Sequence, residues 1–348
     1  MGFFRRNQAG PAPTDPQITA LWQWWTDQGR MLAEQSIESS IAPEEFSSAM
    51  TEHVRAVGEL GWELAPGAAA EHVLVVTAEG DPERRALARR VVLAAPLPDQ
   101  TWTYSDSRPP HPEPESVVLS ADGSPEMDLA RVQVSARVNA GRFDVQVHHP
   151  LFADLPERNR TQLAFLALDA ALGELETELW LGEVVAIEFS PLDGFGLTAL
   201  RSVVADLKRT QLDADGNPRW VMMTGETRDG ALRATVRSPL HPLTAPHLDT
   251  YVSVTLPYAD RSPDGLPEGA SLEALEALAQ RLQREIGQSG QVVAHLSNAG
   301  VRTIHLYVDS AASLVPTVKD VARSWGEGKA SVHEMHDPGW QAVTHLRG

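Results

Sequence analysis

Alternation of apolar and polar positions predicts a strand–helix–strand–strand–helix–strand order over the last hundred residues of the chain. Apolar residues recur at every second position in the strand segments and at every third or fourth position in the helical segments. The predicted strands are Tyr251–Tyr258, Gln291–Leu296, Val301–Val308 and Ala330–Met335. The predicted helices are Ser271–Ile286 and a segment with the apolar stripe Leu314, Val318, Val321 and Trp325. This order is that of the split β-α-β, or ferredoxin-like, fold.

The part of the chain before residue 213 also alternates strand-like and helix-like segments. The predicted strands are His72–Ala78, Thr101–Ser105, Val132–Val138, Phe143–His149 and Glu183–Phe189. The predicted helices are Glu44–Leu60, Pro82–Ala94, Pro156–Leu172 and Leu197–Leu207. The segments Asn139-Ala140-Gly141-Arg142 and Ser297-Asn298-Ala299-Gly300 have the composition of tight hairpin turns. We interpret this N-terminal part as an embellished relative of the C-terminal fold.

The predicted organisation is two α+β domains, which fits a length of 348 residues. Residues 1–16 are polar and rich in proline, so we expect a flexible leader there. The N-terminal domain is expected to cover residues 17–212. The acidic turn at residues 213–218 is the predicted hinge. Residues 219–348 are then a ferredoxin-like domain with extra strands at its N-terminal end.

Composition narrows the functional classes that fit the chain. The formal charge is −18, with 29 Lys and Arg against 47 Asp and Glu, which disfavours nucleic acid and anionic membranes as partners. The sequence contains no cysteine, so disulfides, thiolate nucleophiles and cysteine-bound metals are excluded. No apolar run approaches the roughly 18 residues that span a bilayer. We therefore expect a cytoplasmic protein.

Several short motifs in the C-terminal part occur in the order found in a known bacterial family. Trp220 opens a strand, and the Tyr251–Tyr258 strand is followed by Gly265-Leu266-Pro267. The later motifs are Gly300-Val301-Arg302 running to Tyr307, and Asp337-Pro338-Gly339-Trp340. Over Arg219–Gly348 the chain resembles the domain of unknown function 695 family, although Val343 stands where members tend to carry tyrosine. The resemblance implies the fold and the compartment but no activity.

One histidine and several carboxylates are the candidates for catalysis. The candidate catalytic residues are His149, Asp144, Asp169, Glu174 and Glu178. On an extended segment Glu174, Glu176 and Glu178 would line one face and perturb one another's pKa, as paired carboxylates in glycosidases do. A solvated acidic edge explains the same pattern and is the more common case. No nucleophile elbow, Walker loop or HExxH motif is present, and no metal or other cofactor is predicted.

Aromatic residues and one arginine are the candidates for binding a partner. They are Trp22, Trp25, Arg302, Tyr307 and Trp340. The two N-terminal tryptophans could instead anchor the first segment on its core, which is the more common outcome. Trp340 follows the rigid Asp337-Pro338 step, and we expect it to fold back over the C-terminal core. An exposed recognition role is the alternative for Trp340.

The sequence favours a non-catalytic binding protein, such as a regulator, an inhibitor or an immunity-type partner of another macromolecule. A binding-competent scaffold, the lack of a catalytic motif and the strong acidity together support this hypothesis. The acidity favours a protein partner, in particular a basic one, and makes nucleic acid an improbable partner. The alternative is a metal-assisted or acid/base hydrolase centred on His149 and nearby carboxylates of the N-terminal domain.

Overall fold

A computed structural model describes residues 15–38, 44–119, 126–215 and 217–347. These residues form two compact units, Pro16–Leu212 and Asp213–Arg347. The predicted leader lies almost entirely outside the described residues, as does Gly216 in the predicted hinge. Both units mix helices with strands, and the strands form several separate sheets, so the α+β class is confirmed.

The described part of the N-terminal unit contains seven α-helices and eight strands. The helices are α1 (Pro16–Trp24), α2 (Arg30–Glu38), α3 (Glu44–Val57), α4 (Pro82–Leu93), α5 (Glu157–Leu172), α6 (Glu174–Trp180) and α7 (Leu197–Thr210). The strands are β1 (Gly61–Pro66), β2 (His72–Thr77), β3 (Trp102–Ser105), β4 (Val118–Leu119), β5 (Met127–Asp128), β6 (Gln133–Asn139), β7 (Arg142–His148) and β8 (Leu181–Ile187). A π-helical turn at Trp25–Gly29 joins α1 to α2. Helix α4 begins as predicted, because the Asp81 side chain accepts a hydrogen bond from the Glu83 amide at 3.0 Å.

The strands of this unit form two three-stranded sheets and one short pair. The sheet orders are β1-β2-β3 and β6-β7-β8, while β4 pairs with β5. In each three-stranded sheet the first two strands are antiparallel and the third is parallel to the second. A ferredoxin-like fold has one antiparallel four-stranded sheet. The prediction that this half is an embellished relative of that fold is therefore wrong.

The C-terminal unit is built on one six-stranded antiparallel sheet with two α-helices. The strands are β9 (Arg219–Thr227), β10 (Gly230–Ser238), β11 (Thr250–Pro257), β12 (Gly290–Asn298), β13 (Val301–Val308) and β14 (Ser331–His336). The helices are α8 (Gly269–Ile286), between β11 and β12, and α9 (Val315–Arg323), between β13 and β14. The sheet order is β14-β11-β13-β12-β10-β9, and all neighbouring strands are antiparallel. Strands β9 and β10 therefore extend the sheet beyond β12.

Apolar side chains cover both faces of the central part of this sheet. On one face, Val254, Ile304 and Leu306 pack against α8 and α9 through residues such as Leu275 and Val318. On the other face, a second core forms around Tyr251, Tyr307 and Trp340. Because the two faces are filled by alternate residues of the same strands, the period of two in the sequence determines both cores.

Trp340 closes the second core, as expected from the sequence. Its side chain is 1% exposed and stacks on Tyr307, with ring centroids 4.3 Å apart. The indole Nε1 donates a hydrogen bond to the Leu248 carbonyl at 2.9 Å. The Asp337 carboxylate accepts hydrogen bonds from the Tyr307 hydroxyl at 2.7 Å and from the Gln341 amide at 2.8 Å, which holds the segment in place.

Candidate functional site

His149, the histidine of the predicted hydrolase centre, is a buried structural residue at the end of β7. It is 1% exposed, and its Nδ1 accepts a hydrogen bond from the Leu151 amide at 3.2 Å, which begins a short 3-10 helix. Burial is the main cause that lowers its pKa, and the positive charge of Arg131 adds to the effect. This setting favours a neutral imidazole that takes part in packing.

The predicted line of glutamates is contradicted by the structure. Glu174, Glu176 and Glu178 lie on helix α6 and not on an extended segment, so the three carboxylates do not line one face: Glu174 and Glu178 share a side of the helix, and Glu176 lies on another. Glu176 binds Lys208 at 2.6 Å, and Glu178 binds Arg85 at 2.6 Å. The period of two in this segment was a wrong guide because Glu and Leu are strong helix formers.

The remaining catalytic candidates have contacts with groups other than His149. Burial raises the pKa of Asp169, and the groups that act on it are Thr177, Glu174 and Arg108. Asp144 accepts hydrogen bonds from the Glu183 amide and the Asn139 side chain, which lower its pKa. None of these groups is among those that shift the pKa of His149. Within the described residues, no cluster of three or more His, Cys, Asp or Glu side chains could hold a metal ion.

Four of the five predicted binding residues are core aromatic residues. Trp22, Trp25, Tyr307 and Trp340 are all buried. The Trp22 indole donates to the Val91 carbonyl at 2.8 Å, and the Trp25 indole donates to the Tyr104 hydroxyl at 3.0 Å. Trp22 and Trp25 pack in a core of the N-terminal unit, and Tyr307 and Trp340 pack in the second core of the C-terminal unit, so a partner that binds the folded chain cannot reach these rings.

Arg302, the fifth predicted binding residue, belongs to a polar surface on the sheet of the C-terminal unit. We call this surface the arginine face. It consists of Trp220, Met222, Arg233, Arg237, His295, Ser297 and Arg302, which come from β9, β10, β12 and β13. It continues the side of the sheet on which α8 packs, because His295 lies opposite the core residue Ile304. On this side of the sheet, strands β9 and β10 lie beyond the strands against which α8 packs.

The strand register brings the residues of the arginine face together. Ser297 lies opposite Arg233 on one side and opposite Arg302 on the other, so these three residues form one row across the sheet. Residues directly opposite in antiparallel strands have Cβ atoms about 4.5–5.5 Å apart. Arg237 lies opposite Trp220, and the Trp220 ring meets the His295 ring edge-on at 5.6 Å.

Positive charge dominates the arginine face, and much of it is removed from water. Arg302 is 8% exposed, and burial is the main cause that lowers its pKa. Tyr258 and Glu276 act in the opposite direction, and the nearby charge of Arg233 lowers the pKa further. Burial and then the charge of Arg302 lower the pKa of His295 from 6.5 to about 4, so this ring is neutral at pH 7.

Arg237 is also partly desolvated, and no carboxylate among the described residues pairs with it. Burial alone lowers its pKa. Its guanidinium binds the side-chain oxygen of Gln291 when that amide is turned to face it. Two of the three arginines on this face are thus withdrawn from water and bound only to neutral groups. Such an arrangement suits recognition of a negatively charged group.

The arginine face ends at β9, the outer strand of the sheet. It is nine residues long, and no strand pairs with its outer edge in the described part of the chain. Trp220, Val221 and Met222 are 46%, 47% and 65% exposed. An exposed apolar edge strand is a template for pairing with another chain.

Sequence reasoning found only Arg302 of this site, through its position in a motif. Strand β10 was missed, although Ala234 and Val236 alternate with Arg233 and Arg237 in the period of a half-buried strand. That alternation was the available signal. The row formed by Arg233, Ser297 and Arg302 depends on the register of three strands, which the sequence pattern of each strand alone does not give.

Comparison with known proteins finds one similarity, to a protein family, and it covers the C-terminal part of the chain. No helix in the described part of the chain combines the length and apolar character that a bilayer crossing requires. No curated protein and no solved structure matches the chain. Residues 215–346, the C-terminal part of the chain, match the family of unknown function DUF695.

Proposed function

We propose that the chain is a non-catalytic binding protein whose C-terminal unit is a ferredoxin-like domain extended by β9 and β10. We further propose that the outer edge of β9 pairs with an extended, acidic segment of a protein partner. The sheet order β14-β11-β13-β12, with α8 and α9 as its two crossover helices, supports the ferredoxin-like assignment.

The exposed apolar edge of β9 is the observation that carries the binding proposal. Natural sheets protect their edges with lysine, proline, bulges or short strands. The middle of β9, Trp220–Thr224, contains no charged residue and no proline, and its pairing with β10 has no bulge. A long unprotected edge in a folded protein favours a pairing role, in which main-chain hydrogen bonds supply affinity.

The register identifies the backbone groups that would receive a partner strand. Thr227 and Gly230 flank a two-residue loop and so form a hydrogen-bonded pair between β9 and β10. Hydrogen-bonded and non-hydrogen-bonded pairs alternate back along β9. The amides of Thr224, Met222 and Trp220 therefore face outward, and their side chains lie on the same side as the arginine face.

Local charge favours an acidic partner segment. The net charge of the whole chain led us to expect a basic partner, but Arg233 and Arg237 lie one strand away from the free edge. Charges within the screening length of about 8–10 Å outweigh distant ones at physiological salt. Acidic side chains that alternate with apolar ones on the incoming strand would meet these arginines and the apolar side chains of β9.

The test is selection of peptides by the full chain from a displayed random library, followed by affinity measurement with a selected peptide made synthetically. We expect selected sequences in which apolar and acidic residues alternate. Thr224→Pro removes one outward amide at a position where an edge strand tolerates proline. It should weaken binding about tenfold, the loss expected for one good hydrogen bond, and leave the unfolding midpoint unchanged.

Matched variants on the two edges of the sheet complete the design. Met222→Ser on β9 should weaken peptide binding. Met335 is 43% exposed and lies on β14, at the opposite edge of the sheet. Met335→Ser should leave peptide binding unchanged. Equal effects of the two methionine variants, or an affinity that Thr224→Pro does not change, would contradict pairing at β9.

A further inference from the structure

We infer that the row formed by Arg233, Ser297 and Arg302 is a binding site for a phosphate-type oxyanion. This inference does not rest on strand pairing at β9, because the row lies on the face of the sheet and not at its edge. The ligand chemistry is a tetrahedral oxyanion, either free phosphate or a phosphate group carried by a larger molecule.

Arg302 has hydrogen-bond donors that the described residues leave unused. Its Nε donates to the Ser297 hydroxyl at 2.9 Å, and its two terminal nitrogens bind no described residue. At 8% exposure the side chain has lost most of its contact with water. The terminal nitrogens are not fully enclosed, so a ligand can reach them. A charge at such low exposure, with no ionic hydrogen-bond partner among the described residues, is one that a bound anion would complete.

Other arginines of the protein do have carboxylate partners. In the N-terminal unit, Arg85 binds Glu178 at 2.6 Å, Arg89 binds Asp106 at 3.0 Å and Arg108 binds Glu63 at 2.7 Å. The sequence has 47 acidic residues for 29 basic ones, so carboxylates are plentiful. The lack of such a partner at Arg302, among the residues the structure describes, is therefore a local property of this site.

The neighbours of Arg302 supply further donors to the same place. The Ser297 hydroxyl accepts from Arg302 and keeps its own hydrogen to donate. Arg233 is exposed, so its guanidinium is free to turn toward a ligand bound beside Ser297. The two guanidinium groups and the hydroxyl lie on three neighbouring strands. Together they offer more donors than the two oxygens of a carboxylate can accept, and a tetrahedral anion with several acceptor oxygens fits them better.

Among the residues that the structure describes, Glu276 on α8 is the carboxylate that acts on Arg302, and it acts through space without a hydrogen bond. It is exposed and partly neutralises the row. An anion bound at Arg302 would be repelled by Glu276. Removal of this charge by Glu276→Gln should therefore tighten oxyanion binding, whereas a purely structural Arg302 would gain nothing from it.

The experiment measures the unfolding midpoint of the full chain against increasing inorganic phosphate, with sodium chloride at equal ionic strength as the reference. A ligand that binds the folded state raises the midpoint in a saturable manner. We expect a saturable rise with phosphate and none with chloride. Parallel titrations with O-phosphoserine and with a nucleoside monophosphate identify the source of the phosphate group. Tightest binding of inorganic phosphate indicates a site for free phosphate, and tighter binding of either of the other two indicates a phosphate group carried by a larger molecule.

Four variants show where the anion binds. Arg302→Gln and the exposed-site variant Arg233→Gln should each weaken phosphate binding about tenfold, as loss of a charged hydrogen bond implies. Glu276→Gln should strengthen it. Arg284→Gln, which removes an exposed arginine of α8 in the same unit, is the matched control and should bind phosphate as the unmodified chain does.

His295 gives a readout that does not depend on unfolding. It precedes Ser297 by two residues on β12, so the two side chains lie on the same face of the sheet. Its pKa is about 4. A bound anion favours the charged imidazolium, so phosphate should raise the pKa of His295 in a proton NMR titration. A phosphate response equal to that of chloride, or one that Arg233→Gln and Arg302→Gln leave at full strength, would overturn the site.

Discussion

Trp340 lies nearly flat on Tyr307, with an angle of 13° between the two ring planes. The pair fills the second core of the C-terminal unit together with Leu248, Val343 and Leu346. Val343 is fully buried in this core.

Trp340→Ala tests the contribution of this ring to stability. Removal of a fully buried tryptophan leaves a large cavity and an unpaired Leu248 carbonyl, so the free energy of unfolding should fall by about 3–5 kcal/mol. Urea denaturation measures the change. Met335→Ala, which shortens a partly exposed side chain on β14, is the control and should change stability by no more than about 0.5 kcal/mol. An unchanged midpoint for Trp340→Ala would mean that the ring is not part of the core.

His305 should make stability depend on pH. Burial, with a smaller effect of His345, lowers its pKa from 6.5 to about 4 in the folded chain, where its Nδ1 lies 2.7 Å from the Tyr251 hydroxyl. In the unfolded chain the imidazole titrates near its ordinary value. Between about pH 6.5 and about pH 4 the unfolded state therefore binds more protons, and stability falls as the pH is lowered through that window.

The His305 prediction is a difference between variants. From about pH 7.5 to about pH 5, the unmodified chain should lose about 2 kcal/mol more unfolding free energy than His305→Gln does. Urea denaturation at the two pH values gives both numbers. His333→Gln removes an exposed histidine from the same sheet and should behave as the unmodified chain. If His305→Gln shows the full pH dependence, His305 does not titrate as the structure implies.

Two hairpins show how far local sequence determines an element. The turns after β6 and β12 are both two-residue loops of sequence Ala-Gly, and both residues of each loop have positive φ. This is type I′ geometry, and it fits the tight hairpin turns that the sequence pattern predicted. The alanines, Ala140 with φ 46° and Ala299 with φ 50°, occupy positions that asparagine or glycine adopts more easily.

Ala140→Asn should stabilise the β6–β7 hairpin. The position is exposed and left-handed, and asparagine tolerates that conformation better than alanine does. We expect a gain of about 0.5–1 kcal/mol in the free energy of unfolding, measured by urea denaturation. Gly141→Ala in the same turn, at φ 78°, should have the opposite sign. A loss of stability in Ala140→Asn would show that the turn does not adopt this geometry in solution.

The sequence predicted elements well where one period ran through a whole segment. Helix α8 follows its stripe of leucines, and β13 follows strict alternation, so both lie close to their predicted bounds. Helix α6 was misjudged because a seven-residue segment of Glu and Leu fits both periods in part, and helix propensity decided the outcome. Strand β1 was missed because Gly61 and Pro66 at its ends read as turn residues.

The arginine face lay beyond prediction for a different reason. Its residues lie in four strands between Trp220 and Arg302, and only the pairing of those strands makes them neighbours. Each arginine alone reads as an ordinary polar position of a half-exposed strand. Arg302 is distinguished by its low exposure and by the lack of a carboxylate partner among the described residues, and both properties exist only in the folded chain.

At the scale of the whole molecule, charge is distributed unevenly along the chain. Residues 1–212 contain 31 acidic and 17 basic residues, whereas residues 213–348 contain 16 and 12. Most of the net negative charge therefore belongs to the N-terminal part. The C-terminal part is close to balanced, so a cluster of three arginines on one sheet face can give it a locally positive surface. This difference is why net charge alone was a poor guide to the proposed partner.

The C-terminal unit should fold without the rest of the chain. Both of its cores are formed by residues between Ala234 and Leu346, and its sheet takes all six strands from the segment after Asp213. A fragment Arg219–Gly348 has the size of an ordinary domain, so we expect a single cooperative urea transition and the circular dichroism of an α+β protein. The same fragment with Trp340→Ala is the internal control and should unfold at lower urea, because the second core closes on that ring. A fragment that unfolds gradually, or one insensitive to Trp340→Ala, would show that these cores depend on residues before Arg219.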